Sequence, residues 1–332
     1  MKKPALLIAL VLTLTLLCSC ARESTTTVYV MDTFAEIVMY QGNEKTEERI
    51  TETLYDIESE LSATSGRLHR LNENGGGETG IHIESILAQA EKYYKETDGA
   101  FSPYLGSLIE LWGVGSKNYV PTAEEISATL STSKAENVKS DGKSSVKLEG
   151  GVRLNFGAIA KGYATDVVRD ILEEDGVSGA VIFLGGNVYV HGTKPNGELF
   201  RVAIRDPDGS ENDWILALEL SNKFIISSGD YERYFEAGGR RYHHIFSPET
   251  GYPAESDLRA ICVIADDGAM ADAYSTALYV MGRQGAIDFW REHEGFELVL
   301  VGRDGKVTLT EGVGDNFIIN NQKDYKYEVA KR

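Results

Sequence analysis

VRLNFGAIAKGYATDVVRDILEEDG, Val152 to Gly176, changes its hydrophobic period along its length and sets the fold class. It reads as strand, turn and helix: Val167, Val168, Ile171 and Leu172 recur at helical spacing as a buried face, and Gly176 stops the helix. GAVIFLGGNVYVHG (Gly179–Gly192) follows and is strand-like again. Within the opening stretch Lys161 lies between Gly157 and Gly162, where a helix begins. The first turn of a helix has backbone N–H groups without partners, and a lysine beside them adds a full positive charge, so this is a place to hold an anion. An ordinary turn with a solvated lysine has the same composition, so the rest of the chain must decide.

Outward from that stretch the chain alternates between the two periods. VYVMDTFAEIVMY (Val28–Tyr40) alternates like a pair of strand segments, after a short polar tether from Arg22 to Thr27. Glu44–Ser62 places Ile50, Leu54, Ile57 and Leu61 on one helical face, and Ile83–Gly99 reads as a second helix. Between them LNENGGGETG (Leu71–Gly80) reads as a flexible loop, and no strand leads into it as a nucleotide fingerprint would need. Val120–Lys143 is a polar, helix-like excursion after the apolar Leu108–Trp112. Phe200–Pro207, Trp214–Gly229 and Arg259–Asp266 are strand-like. Ala271–His293 is a helix broken near Gly282, and Phe296–Gly312 is a hairpin turning at Asp304-Gly305. The order gives a mixed α/β (α+β) fold with antiparallel hairpins, without the regular alternation of a doubly wound sheet.

The chain has 332 residues, 42% of them hydrophobic, enough for a real core. Its start, MKKPALLIALVLTLTLLCSC, has Lys2 and Lys3, an apolar run from Ala5 to Leu17 and a small-residue stretch, the pattern of a secretory signal. Leu17-Cys18-Ser19-Cys20 resembles a bacterial lipobox, with Cys20 the residue to be lipidated. That predicts removal of residues 1–19, a lipidated tether over 20–27, and an extracytoplasmic, periplasmic body held on a bacterial membrane by its acyl chains. Cys262 is then the only thiol left, which excludes an intramolecular disulfide and a cysteine metal cluster. Losing Lys2 and Lys3 takes the formal charge from −18 to −20, which argues against nucleic acid as a partner.

Two further segments carry candidate chemistry. In ADAYSTAL (Ala271–Leu278), Asp272 and Thr276 are four apart, so a helix sets a carboxylate and a hydroxyl on one face, two hard oxygen ligands for one cation. A helix cap or solvated side chains explain the same pair. In SSGDYERYFEAGGRRYHHIFSPETGYP (Ser227–Pro253), His243 and His244 are neighbours in a strand-like run, so one faces a site and the other does not. A hydrogen-bonded structural pair is the plainer explanation, and alternation does not choose between the two.

Taken together, MDT (Met31–Thr33), Leu71-Asn72, FSPYLGSLIELWG (Phe101–Gly113), GAIAKGYATD (Gly157–Asp166), LGGNV (Leu184–Val188), SSGDYERYF with RRYHHIFSPETGYP, and ADAYSTALYVMG (Ala271–Gly282) resemble, in order, the FAD:protein FMN transferase family, also called the ApbE family. The resemblance spans about Val28 to Asn320 and implies a T-fold-like arrangement of largely antiparallel strands and helices over residues 28–320, with 321–332 left as a polar C-terminal tail. It implies cleavage of the FAD pyrophosphate and transfer of FMN, as a phosphoester, to a threonine of a partner protein, a membrane redox subunit. A magnesium ion would sit on Asp272, Thr276 and the Ala160 carbonyl. Lys161 and the Gly157–Gly162 turn would meet the pyrophosphate, and His244 would act as base. Met31, Gly185, Gly186, Asn187, Tyr242 and His243 would line the FAD site.

The chain departs from the family pattern at Asn155, where an aspartate is usual, at Ser102 and Ser107, and at Thr64, where many relatives carry an aromatic residue. A more open pocket lets water replace the protein hydroxyl, so the alternatives are an FAD pyrophosphatase giving FMN and AMP, and an FAD-binding lipoprotein without catalysis.

Overall fold

A computed structural model of the chain describes residues 23–210, 212–314 and 317–332. The signal segment 1–19 and Cys20 lie outside the described residues. Among the described residues no helix is long and apolar enough to cross a membrane.

Nine strands form one sheet whose spatial order is also their chain order: Glu23–Val30, Thr33–Tyr40, Gly179–Leu184, Asn187–Gly192, Lys223–Gly229, Leu258–Ala265, Phe296–Gly302, Lys306–Thr310 and Lys326–Ala330. Every neighbouring pair is antiparallel except the last two strands, which run parallel. Antiparallel pairs need only short turns. The helices enter instead as insertions between strands: Glu44–Leu61, Arg67–Asn74, Ile81–Glu96, Gly106–Trp112, Ala123–Thr132 and Ala160–Glu174 after the second strand, and Gly268–Glu292 after the sixth.

Alternation decides what covers each face of the sheet. Ile37, Met39, Ile182, Leu184 and Phe224 point to one side and share a core with Ile50, Leu54, Val168, Ile171, Ala273 and Leu278 of the helices. Val190, Ile225, Cys262, Val299 and Leu309 point the other way, under a three-stranded sheet of Phe200–Arg205, Trp214–Leu220 and Phe317–Ile319. Cys262 is fully enclosed there, and burial pushes its thiol up to about 12, so it is inert packing. A third cluster of Leu105, Leu108, Trp112, Ile126, Phe235 and Phe246 sits under a separate hairpin, Tyr234–Ala237 with Arg240–His243.

Several expectations need correction. The strand expected before GAIAKG is reduced to a single bridge of Arg153 to Leu105, because Asn155 turns the chain by accepting the Gly157 N–H at 2.8 Å. Leu71–Gly80 is not a loop: Leu68 and Leu71 bury one side of the helix Arg67–Asn74, and Gly76–Glu78 pairs with Ser145–Lys147. The polar excursion after Pro121 holds the helix Ala123–Thr132, opened by a capping box of Thr122 and Glu125, then a 3-10 turn at Ala135–Asn137 and a strand, Val138–Ser140. The presumed tether is already strand from Glu23, paired with Tyr40 through its β-branched threonines, and the polar C-terminal residues Lys326–Ala330 form the parallel edge strand.

Candidate active site

The site lies at the end of the sheet where the Val30–Thr33 and Leu184–Asn187 turns emerge and where the helix Ala160–Glu174 begins. That helix starts one residue before Lys161, with Ile159 as its N-cap, so Lys161 and Gly162 are in its first turn. Orphan N–H groups there need acceptors. Asp272 supplies one from the other helix, its Oδ2 accepting the Gly162 N–H at 2.9 Å. Asp166 returns the favour, accepting the N–H groups of Gly268 and Ala269 at 3.0 and 2.8 Å at the start of the long helix. Two carboxylates thus cap each other's helices, a favourable charge at each N-terminus.

The exchange needs the backbones in contact. A Cβ on Gly162 would run into the Gly268 carbonyl and the Asp272 side chain, and one on Gly268 into the Gly162 carbonyl and Phe224. Gly162 is bare for this crossing and is buried in it, so its amide is not free to meet a pyrophosphate as the sequence suggested. Gly157 remains exposed in the turn, its N–H held by Asn155. Asn155 therefore keeps the acceptor oxygen that an aspartate would offer.

Asp272 is buried, 4% exposed, and its Oδ1 has no hydrogen-bond partner among the described residues. Thr276, one turn on and half-buried, also leaves its hydroxyl without one. Ala160 lies beside them in the turn that Gly162 ties to Asp272. Among the described residues no three His, Cys, Asp or Glu side chains converge. A cation here would meet one carboxylate, one hydroxyl and one carbonyl, a hard-oxygen set that leaves room for waters and phosphate oxygens and so fits magnesium.

Lys161 forms no ion pair among the described residues. Its charge reaches two neighbours. Glu232, in the loop after Lys223–Gly229, has its carboxyl held above the usual range, by loss of water first; Lys161, Arg233 and Arg205 pull it back, and Asp272 adds to the rise. Glu232 Oε1 is 3.8 Å from where a Cβ on Gly186 would stand. In the sequence Glu232 lies within Asp230-Tyr231-Glu232-Arg233, where a carboxylate among turn residues is the only local signal of its place at the site.

The histidines separate cleanly. His243 is buried, with Nε2 donating to the Ala254 carbonyl at 3.2 Å and Nδ1 accepting the Ile245 N–H at 3.3 Å, so both ring nitrogens are committed. His244 is half-buried and its Nδ1 donates to the Arg233 carbonyl at 3.2 Å, which leaves Nε2 as the lone-pair nitrogen. Its pKa is pushed down to about 4, by desolvation first and then by Arg233, Lys161 and His243. At neutral pH it is an uncharged imidazole, able to take a proton.

The remaining candidates divide. Gly185 and Gly186 make the turn between two strands with φ of 55° and 96°, backbone that only glycine adopts freely, and Thr33 packs against Gly185. Asn187 ends that turn, 3% exposed, with an enclosed Nδ2 that has no partner among the described residues. Met31 sits with Asp32 in a two-residue hairpin turn at φ of 54° and 56°, its N–H donated to Glu58 at 2.8 Å. Tyr242 belongs to the third cluster: its ring packs on Phe235 and Trp112, at 5.3 and 5.4 Å.

Comparison with known proteins agrees with this arrangement. The ApbE family model matches residues 31–300. A Treponema pallidum protein named FAD:protein FMN transferase is 29% identical over 89% of this chain and 88% of its own length. A Haemophilus influenzae protein of the same name is 31% identical over 74% of this chain and 75% of its own. Among solved structures, the ApbE protein of Thermotoga maritima superposes with a TM-score of 0.77 at 33% identity, covering 86% of this chain and 96% of that one. The flavinyl transferase ApbE of Pseudomonas stutzeri gives 0.76 at 28% identity, covering 86% and 92%. On these matches, over a sheet and helices that bring Lys161, Asp272, Thr276 and His244 to one end of the fold, the chain belongs to the ApbE family.

Proposed function

We propose that this protein is an FAD:protein FMN transferase: it cleaves the pyrophosphate of FAD, joins the FMN phosphorus to a threonine hydroxyl oxygen of an acceptor protein, and releases AMP. The observation that carries the reading is the meeting of a lysine with no ion pair among the described residues, a half-engaged carboxylate with a hydroxyl one turn on, and a histidine with its Nε2 uncommitted, near one helix N-terminus. Phosphoryl transfer asks a protein mainly to position groups and to offset developing charge. Lys161 supplies charge toward the pyrophosphate, and the bare Gly185–Gly186 turn lets the ligand approach the backbone closely.

His244 Nε2 accepts the proton of the incoming hydroxyl, with Nδ1–H on the Arg233 carbonyl holding the ring in the tautomer that this needs. Asp272 Oδ1, the Thr276 hydroxyl and the Ala160 carbonyl would hold a magnesium ion. When bound, that ion supplies Lewis-acid neutralisation of pyrophosphate charge.

The lipobox-like segment at Cys20 supports a lipid-anchored, extracytoplasmic enzyme with residues 1–19 removed and the transferase body over 28–320, acting on membrane redox subunits. Incubation with FAD, magnesium and a threonine-bearing acceptor tests the reading. Expected are a flavin-fluorescent acceptor band that survives denaturing electrophoresis and one AMP for each FMN attached. AMP without labelled acceptor would make the protein an FAD pyrophosphatase, and no AMP at all would leave a flavin binder.

A further inference from the structure

Behind the strand that ends at His243 lies a cavity of about 390 Å³. His243 faces it, on the side of the strand opposite His244, and Lys161, Asp272, Thr276 and the Gly185–Gly186 turn take no part in its walls. In a chain with a formal charge of −18, Arg240, Arg241, Arg259 and Arg303 line this one space against only Asp230 and Glu255. Asp208 and Glu236 stand just outside it, against Arg259 and Arg241, so each guanidinium has a carboxylate beside it.

The floor is built and rigid. Asp230 is 4% exposed and takes one guanidinium on each oxygen, Arg259 on Oδ1 and Arg303 on Oδ2. Arg259 is also spread over Asp208 and the Pro207 carbonyl, so it is fully engaged. Arg303 is fixed by its Nε on the Ser256 carbonyl at 2.8 Å, while its Nη1 has no partner among the described residues. Tyr279, packed edge-on against His243 at 5.9 Å, is fully buried beside this floor with the Arg303 charge against its hydroxyl.

The rim is different. Arg241 stacks on Tyr234 at 4.0 Å and has only a loose 3.7 Å contact with Glu236. Arg240 spends one nitrogen on the exposed Glu255, at 2.8 Å. Three guanidiniums therefore present free N–H groups to one space.

We propose that this cavity binds a small molecule through a doubly charged phosphate group, at a site separate from that of FAD. Free N–H groups on three guanidiniums match the three terminal oxygens of a phosphate, where a monocarboxylate offers only two. The volume accommodates the phosphate together with an organic body. The site goes beyond the flavin reaction and stands whether or not that reaction is as described.

Calorimetric titration of the FAD-saturated protein with inorganic phosphate tests it, beside the double variant Arg240→Gln/Arg241→Gln, whose side chains lie at the rim and leave the Asp230 floor intact. Saturable one-to-one binding is expected, weakened by about tenfold or more in the double variant, as loss of charge-assisted bonds demands, with circular dichroism and FAD affinity unchanged. Absence of saturable heat, equal affinity in the variant, or loss of the phosphate site once FAD is bound would each overturn the proposal.

Discussion

The two halves of the candidate site are built in opposite ways. On one side the helices Ala160–Glu174 and Gly268–Glu292 cross with glycine on glycine, and their carboxylates cap each other's first turns. On the other, His244 follows a two-stranded hairpin that does not join the main sheet and leans on the Trp112 cluster through Phe235 and Tyr242. The groups suited to a cation and a pyrophosphate are thus fixed by backbone contact, while the group suited to move a proton is held by aromatic packing and one carbonyl. The contrast predicts that a side chain forced into the glycine crossing shows in folding and activity together, and that loss of the His244 ring shows in rate alone.

The largest effect is expected at the second half. His244→Ala should slow the chemical step by about 10²–10⁴-fold with FAD affinity largely kept; stopped-flow and equilibrium FAD titration separate the two, and a pure binding defect would remove His244 from proton transfer. The pH profile sharpens this. With the folded-state pKa lowered to about 4, His244 stays neutral as pH falls through 6.5, so kcat/KM should hold its value there and decline only toward pH 4. By the same sign, the native state resists protonation that the unfolded chain accepts below about 6.5, so this group lowers stability progressively from there down to about 4. An acid limb centred near 6.5 would mean the imidazole is not desolvated.

Next comes the crossing. Gly162→Ala forces a Cβ into the Gly268 carbonyl and should cost about 1–3 kcal/mol by denaturant unfolding, with transfer activity falling in parallel; full stability would show the helices free to separate. The smallest effect is expected at the hairpin's support. Trp112→Phe removes the 2.9 Å bond from Nε1 to the Gly251 carbonyl inside a fully buried cluster and should cost about 1 kcal/mol. Activity measured at 25 °C should change less than stability, and a rate loss as deep as that of His244→Ala would mean that the cluster sets the base more directly.

How much of this could be read from residues alone follows the range of the interactions. Helices with a buried stripe, such as Ile50, Leu54, Ile57 and Leu61, declare themselves because the period is local. So do strands whose partner follows at once, such as Asn187–Gly192 after Gly179–Leu184. Gly76–Glu78 is a strand only because Ser145–Lys147 comes to it from about seventy residues away, and a glycine run has no period to announce that. At the site, Asp272 and Thr276 were legible as an i, i+4 pair. That Asp272 also caps the Lys161 helix was not, since the bond spans 110 residues. The choice between His243 and His244 rested on which ring nitrogens the backbone takes, which no alternation pattern contains.

Asp272 therefore has two roles on two oxygens, and Asp272→Asn separates them: an amide oxygen still accepts the Gly162 N–H while the charge is lost. Magnesium titration of FMN transfer in this variant is the most direct measurement. Unfolding within about 1 kcal/mol of the native protein, with transfer reduced by about 100-fold or more and a raised magnesium requirement, is the predicted result. Native turnover at native magnesium would contradict it and leave Asp272 as a helix cap alone.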